Sequence, residues 1–106
     1  MLRGEVRRVL AYASAVDMRK SFDGLLGEAK LRFEEDPLSG TVFLFLNRSR
    51  TIAKLLWWDR TGWCVLGKRL ERGRFELRCS DELQELSARE LELLLDGVLR
   101  RMRFRS

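Results

Sequence analysis

The sequence contains no histidine and only one proline, and its two cysteines, Cys64 and Cys79, do not form a C-x-x-C pair. A zinc site built from this chain alone is therefore not expected, because such sites need clustered cysteine and histidine ligands. No apolar run approaches the length of a membrane-spanning helix, and the start MLRGEVRR lacks the apolar region of a signal peptide. We therefore expect a reduced, cytoplasmic protein with no cofactor and no membrane contact.

The absence of histidine also leaves few groups for catalysis. General acid–base chemistry would fall to lysines, cysteines, Tyr12 or carboxylates such as Asp17, Asp23, Asp36 and Asp59. Asp17 and Asp23 are six positions apart, which does not place them on one face of a helix. Asp36 is better explained by a turn and Asp59 by the end of a strand. We expect no catalytic residue and no enzyme activity.

The composition is that of one folded domain. The chain has 106 residues, of which 45% are hydrophobic and 35% charged, and the two kinds are interleaved. A chain of this length and hydrophobic content builds one core, whereas two separate cores would need more material. We predict one domain over residues 1–99, followed by a basic C-terminal tail at 100–106.

The apolar periodicity predicts an α+β domain. Residues 18–35 have an apolar stripe at helical spacing, and Ser87-Ala88-Arg89-Glu90 has the spacing of a capping box at the start of a last helix. Predicted strands are 4–13, 41–47, 52–59, 63–70 and 75–80. We expect an antiparallel β-meander of four to five strands, packed against one helix from the N-terminal half and one C-terminal helix.

The central strands place large apolar side chains on both of their faces. In the strand 52–59 the alternation of side chains turns Trp57 and Trp58 in opposite directions, and Trp63 follows in the next strand. A sheet with one wet face would alternate apolar and polar residues instead. We therefore expect part of this surface to be covered by a partner or a second copy of the chain, with Trp58 and Trp63 as protein-interface residues. For any single tryptophan, packing in the core is the favoured interpretation.

Positive charge is concentrated in one part of the chain. Residues 47–74 have eight basic groups against two acidic ones, while residues 75–99 have two against seven. Two predicted turns contain arginines in pairs, and Arg side chains present a flat fork that matches phosphate oxygens. We predict a nucleic-acid-binding set of seven residues: Arg48, Arg50, Lys54, Lys68, Arg69, Arg72 and Arg74. A solvated basic face is the alternative. We expect the four turn arginines to be dispensable for folding.

Four stretches in this order resemble a known family. They are VDMRKSFDGL, DPLSGTVFLFLNRSR, KLLWWDRTGWCVLGKRLERGRF and LSARELELLLDGV, within residues 9–98. Together they resemble the TnpB-type accessory protein, the product of the second reading frame of IS66-like bacterial insertion sequences, which is unrelated to the RNA-guided nucleases that share the TnpB label. The sequence departs from the family pattern at Thr51-Ile52 and at Glu76-Leu77-Arg78.

The resemblance implies a role in transposition. Members of such a family accompany a separate, larger transposase and support transposition of their element. On this basis we expect an accessory protein that binds DNA through its phosphate backbone and acts with the element's transposase. The alternative is a protein-interaction module that docks on the transposase without touching nucleic acid. Self-association is a further expectation from the apolar sheet.

Overall fold

Five strands and two helices make up the part of the chain that the computed structural model describes, namely residues 8–33, 36, 38, 40–77 and 82–96. The predicted tail at 100–106 and Cys79 lie outside these residues. The elements are β1 (Arg8–Tyr12), α1 (Phe22–Arg32), β2 (Thr41–Leu46), β3 (Ile52–Trp58), β4 (Trp63–Arg69), β5 (Leu83–Leu86) and α2 (Ala88–Asp96).

The strands form one mixed sheet in the order β4-β3-β2-β1-β5. The β2–β3 and β3–β4 neighbours are antiparallel, as the sequence predicts, and so is β1 with β5. β1 runs parallel to β2, with Arg8 opposite Thr41 and Tyr12 opposite Phe45. A parallel pair needs a long crossover connection, and α1 lies within this one. The α+β class and both predicted helices are confirmed.

The fifth predicted strand, 75–80, is not where the fifth strand of the sheet lies. Phe75 and Leu77 are buried, but Phe75–Leu77 have no strand pairing, and residues 78–80 lie outside the described residues. The strand forms instead at Leu83–Leu86, along β1. Burial of alternate side chains thus resembles a strand in sequence even where the described segment is not part of the sheet.

Each face of the sheet is covered by the chain itself. On one face α1 packs Leu25, Ala29 and Phe33 against strand residues that include Phe43 and Phe45. The ring centroid of Phe33 lies 5.1 Å from that of Phe43 and 6.1 Å from that of Phe45. Burying three such aromatic rings contributes about 1.5–3 kcal/mol for each side chain, and α1 is held chiefly by this contact.

The opposite face is covered by α2 together with the segment that follows β4. Leu91 and Leu94 of α2 and Phe75 and Leu77 of that segment share one apolar cluster with Leu55 of β3. The centre of the sheet therefore finds cover on both faces within the chain, and the expected contact with a partner or a second copy stays a prediction for the margin of the sheet. The half-exposed apolar side chains of β4 lie at the margin of the sheet.

The predicted capping box starts α2. The Ser87 hydroxyl accepts a hydrogen bond from the Glu90 backbone N–H at 3.0 Å, and the Glu90 carboxylate accepts one from the Ser87 N–H at 2.8 Å. Two backbone donors that a helix start leaves open are thus satisfied reciprocally. This contact fixes the point at which the chain turns from β5 into α2.

Glu28 forms ion pairs with a residue just before α1 and with the last residue of this helix. Its carboxylate, 13% exposed, lies 2.6 Å from the Lys20 ammonium and 3.2 Å from the Arg32 guanidinium. The hydrogen bond from Lys20 is the main cause that lowers the pKa of Glu28 below its ordinary value of 4.5, and Arg32 adds to it. A carboxylate whose folded-state pKa is lowered stabilises the fold above the unfolded-state pKa, and this contribution is lost as the pH falls.

Replacing Glu28 with Gln is therefore expected to lower the free energy of unfolding in a pH-dependent way. The difference from the wild type is largest above pH 4.5, where the unfolded-state carboxyl is ionised, and shrinks as the pH falls through the lowered folded-state pKa. Urea unfolding between pH 3 and pH 7 measures it, with Glu92→Gln as the control for loss of an exposed helical carboxylate. A difference that does not change with pH would contradict the ion-pair assignment.

Candidate nucleic-acid interface

The turn between β2 and β3 is organised by Asn47. Its side-chain oxygen accepts hydrogen bonds from the backbone N–H of Thr51 at 2.9 Å and of Ile52 at 3.0 Å. Its amide nitrogen donates to the hydroxyls of Ser49 and Thr51, both at 3.2 Å. An Asn side chain that replaces backbone partners in this way holds a short turn in one conformation. The exposed Arg48 is consequently presented on a fixed backbone.

Arg50 lies in the same turn but points into the protein. Its guanidinium donates to the backbone oxygen of Leu77 at 3.0 Å and to that of Ala13 at 3.4 Å. Its backbone φ is 60°, a left-handed conformation that non-glycine residues rarely adopt. The Arg50 fork therefore ties the turn to two distant segments, and the expectation that all four turn arginines are dispensable for folding does not fit this geometry.

The second arginine turn lies directly beside the first. The N–H of Leu70 donates to the oxygen of Thr51 at 2.9 Å, and the N–H of Phe75 donates to the oxygen of Arg50 at 2.7 Å. Between these two anchors the chain turns through 71–74, with Gly73 at a φ of 75°. Only glycine adopts that conformation without strain. The two turns thus lie at the same end of the sheet.

Three exposed arginines share this end of the sheet. Within the described part of the chain, the side chains of Arg48, Arg72 and Arg74 have no hydrogen bond or ion pair. Arg48 comes from the first turn, and Arg72 and Arg74 come from the second. We call these three residues the arginine cluster. Their charges remain available to an external anion, because no described carboxylate engages them.

Lys68 and Arg69 lie at the neighbouring end of β4 and have weak ion pairs. The Lys68 ammonium is 3.9 Å from Asp96, and the Arg69 guanidinium is 3.6 Å from Glu71. All four side chains are largely exposed, and ion pairs of this kind contribute about 0–1 kcal/mol. Phosphate oxygens can replace these carboxylates at little cost, so both residues extend the positive surface of the arginine cluster.

Lys54 has a structural role on the α1 face. Its ammonium donates to the backbone oxygen of Met18 at 2.7 Å and to that of Lys20 at 2.8 Å. The half-buried side chain thereby holds the loop that leads into α1. Of the seven cations that the sequence singles out, Lys54 and Arg50 are engaged by backbone oxygens, and the other five are exposed.

Trp58 and Trp63 face each other across β3 and β4, away from the arginine cluster. Their rings are 5.2 Å apart and inclined at 60°, an edge-to-face contact. Both are half-buried and flank the Asp59–Gly62 hairpin connection. Trp63 and Arg69 are separated by six residues of β4, or about 20 Å at about 3.3 Å per residue. The aromatic pair and the positive surface are therefore separate features.

Sequence reasoning missed Asn47 and Arg19. Asn47 directly after an apolar strand is a turn signal, and that signal was available in the sequence. Arg19 lies in the loop beside the end of β2, where the N–H of Val16 donates to the oxygen of Leu46. Its guanidinium binds Asp17 at 2.8 Å, and hydrogen bonds from Arg19 lower the pKa of Asp17 to about 2. Arg19 therefore adds little net charge to this end.

Three of the four aspartates considered for catalysis have local structural contacts. Asp17 binds Arg19, and Asp36 accepts the N–H of Leu38 at 3.0 Å. Asp59 accepts the N–H groups of Thr61 and Gly62, and these bonds lower its pKa. Among the described residues, no three Asp, Glu, Cys or His side chains gather in a way that holds a metal ion, and no helix there is long and apolar enough to cross a membrane.

Comparisons with known proteins agree with the resemblance found in the sequence. The family model described as "IS66 Orf2 like protein" matches residues 7–103. The uncharacterized protein y4hO of Sinorhizobium fredii strain NGR234 is 33% identical over 96 residues, covering 90% of this chain and 84% of that protein. The protein y4jC of the same strain is 27% identical over 92 residues, covering 86% and 79%. No solved structure gives a significant match.

Proposed function

The chain belongs to the IS66 Orf2-like family and is an accessory protein of an insertion sequence, and from this premise we propose that it is a non-catalytic DNA-binding factor. In this proposal it binds the phosphate backbone through the arginine cluster and acts together with the separate transposase of its element. It works where DNA and transposase meet, in the bacterial cytoplasm.

One observation carries the proposal: the arginine cluster is exposed on turns whose backbone is fixed by hydrogen bonds, and its side chains have no partner in the described part of the chain. Two turns that are hydrogen-bonded to each other present its three guanidinium groups at one end of the sheet. A rigid positive surface binds a polyanion with less loss of conformational entropy than flexible side chains scattered over the molecule. Arg forks also match phosphate oxygens in pairs, which favours nucleic acid over a diffuse acidic surface.

The same geometry favours binding that does not depend on base sequence. The cluster lies on turns, and the two described helices, α1 and α2, pack against the sheet by their apolar faces. Contacts from turns to phosphate oxygens position a protein on DNA but do not read bases. Selection of the element's ends then falls to the transposase or to another factor.

A second candidate is docking on the transposase without DNA contact. The half-buried Trp58–Trp63 pair supports it, because exposed aromatic area is frequent in protein interfaces. The two functions are compatible, since Trp63 lies about 20 Å along β4 from Arg69, which is at the end of the strand next to the arginine cluster.

Salt dependence separates the two candidates. The experiment titrates the protein against the terminal DNA of its element and against a scrambled duplex at several salt concentrations. Phosphate binding predicts equal affinity for both duplexes, and a log K that falls by about 0.9 per neutralised phosphate for each tenfold rise in salt. Absence of binding to either duplex at low salt would refute DNA binding and leave transposase docking as the function.

A further inference from the structure

Among the described residues, the outer edge of β4 is the longest open edge of the sheet. β4 has seven residues and ends the strand order on one side, whereas β5, which ends it on the other, has four. Its pairing with β3 is unbroken from Arg69 opposite Ile52 to Trp63 opposite Trp58, with no bulge. The edge is therefore straight enough and long enough to accept another strand.

The hydrogen bonds at the two ends of the β3–β4 ladder show which backbone groups of β4 face β3 and which point away from it. The N–H of Leu70 donates to Thr51, and the N–H of Asp59 donates to Gly62. Bonded pairs alternate along an antiparallel ladder, so those within β4 fall at Cys64, Leu66 and Lys68. The backbone groups of the other four β4 residues point away from β3: Trp63, Val65, Gly67 and Arg69.

This edge has little of the protection that natural proteins give to exposed strands. β4 contains no proline, and its only charged residues, Lys68 and Arg69, lie at one end of the strand. Trp63, Val65 and Leu66 are half-buried, so each leaves part of an apolar side chain at the margin. A Cβ added at Gly67 would meet nothing nearer than Lys54 at 3.8 Å, and glycine itself has no side chain to hinder a second strand. Such an edge is typical of strand addition.

We propose that β4 pairs antiparallel with β4 of a second copy, joining two sheets into one of ten strands. Centring the pair on Leu66 overlaps all seven residues and satisfies the four outward-facing backbone positions of each copy. Leu66 then faces the partner's Leu66, Val65 faces the partner's Gly67, and Trp63 faces the partner's Arg69.

The side chains make the edge complementary to itself in this direction. Lys68 and Arg69 lie at one end of β4 and Trp63 lies at the other. Antiparallel pairing therefore sets Arg69 of each copy beside the indole ring of the other copy, and a guanidinium group and an indole ring attract each other. Parallel pairing in register would set Lys68 and Arg69 against their own copies, which repel. The dimer presents two arginine clusters, one at each end of the joined strands, and its formation does not depend on DNA binding.

Sedimentation of the nucleic-acid-free protein is the first test. A dimer of twice the 12.5 kDa chain mass is expected, and a monomer at every concentration up to 100-fold above that used for DNA binding would overturn the proposal. Gly67→Pro removes an N–H that points away from β3, so it spares the β3–β4 ladder and is expected to weaken dimerisation at least tenfold. Gly67→Ala, which has room for its methyl group, is the matched control and remains dimeric.

Cross-linking provides a test that does not require Gly67→Pro to fold. In a Cys64→Ser, Cys79→Ser background, Leu66→Cys faces its own copy at a non-hydrogen-bonded pair, where Cα atoms are about 4.5 Å apart, within the range of a disulfide. Oxidised glutathione is expected to link it into a covalent dimer, while Lys30→Cys on the exposed side of α1 remains monomeric on denaturing gels. Equal cross-linking of the two variants would refute β4 pairing.

Discussion

Replacing Arg48, Arg72 and Arg74 together with Gln is expected to weaken DNA binding roughly 100-fold at low salt. The three guanidinium groups have no described internal partner, so their loss removes contacts to phosphate without opening the fold. At about 1 kcal/mol for each net hydrogen bond, three lost contacts amount to about 3 kcal/mol, or roughly 100-fold in affinity. Fluorescence anisotropy with a labelled duplex measures the change, and circular dichroism checks the fold.

A matched variant tests whether DNA affinity depends on where the positive charges lie or only on how many there are. Lys30, Arg60 and Arg89 are exposed on α1, at the β3–β4 hairpin and on α2, away from the arginine cluster. Changing these three to Gln removes the same three charges from a net charge of +5. If the cluster is the binding surface, this variant retains affinity within about threefold, since only the long-range field changes. Equal losses in both variants would mean that net charge alone attracts DNA.

Arg50→Ala is expected to reduce the free energy of unfolding by about 2–3 kcal/mol, because a hydrogen bond to a charged group contributes about 1.5–3 kcal/mol. The change leaves the oxygens of Leu77 and Ala13 without the Arg50 fork that joins the turn to both segments. It also keeps a non-glycine residue at a φ of 60°. Guanidinium unfolding at pH 7 measures the loss as a lower midpoint.

Arg48→Ala is the control, two positions away in the same turn. Its exposed side chain has no described partner, so its unfolding free energy stays within about 0.5 kcal/mol of the wild type. The two variants are therefore expected to have opposite effects. Arg50→Ala lowers the stability of the fold but, while folded, keeps its DNA affinity. Arg48→Ala keeps the stability and loses DNA affinity. Equal midpoints for the two variants would contradict the structural role of Arg50.

The central strands and α2 were predictable because local signals agree there. β2, β3 and β4 are continuous apolar runs divided by turn residues, and the Ser87–Glu90 capping box marks the start of α2. The apolar stripe predicted within 18–35 is largely buried, since Leu25, Ala29 and Phe33 are covered, whereas Phe22 at the start of α1 is 49% exposed. Whether a residue at the end of a helix is buried depends on which residues pack opposite it, and helical periodicity gives no information on those residues.

Pairing between distant strands was the part that local sequence did not determine. β5 is the short stretch LQEL with one acidic residue, and β1, some seventy positions earlier, provides its partner. The parallel β1–β2 pair had a signal in the order strand, helix, strand, which is the connection that parallel strands require. A meander of neighbouring hairpins is the simpler inference from short turns, and it fails where α1 intervenes.

The candidate site was predictable as a region but not residue by residue. Charge clustering predicted two turns that contain arginines in pairs, and the hydrogen bonds between 50–51 and 70–75 bring these turns together. Composition could not separate Arg48 from Arg50, because the difference is the direction in which each side chain leaves the turn. That direction follows from the Asn47 hydrogen bonds and from the left-handed backbone at Arg50.

The slope of log K against log salt, compared between the wild type and the variant with Gln at Arg48, Arg72 and Arg74, tests the central claim most directly. If each arginine neutralises one phosphate, the slope becomes shallower by about 2.7, since each contact contributes about 0.9. An unchanged slope, with the affinity of the variant equal to that of the wild type, would contradict the claim that the arginine cluster binds DNA.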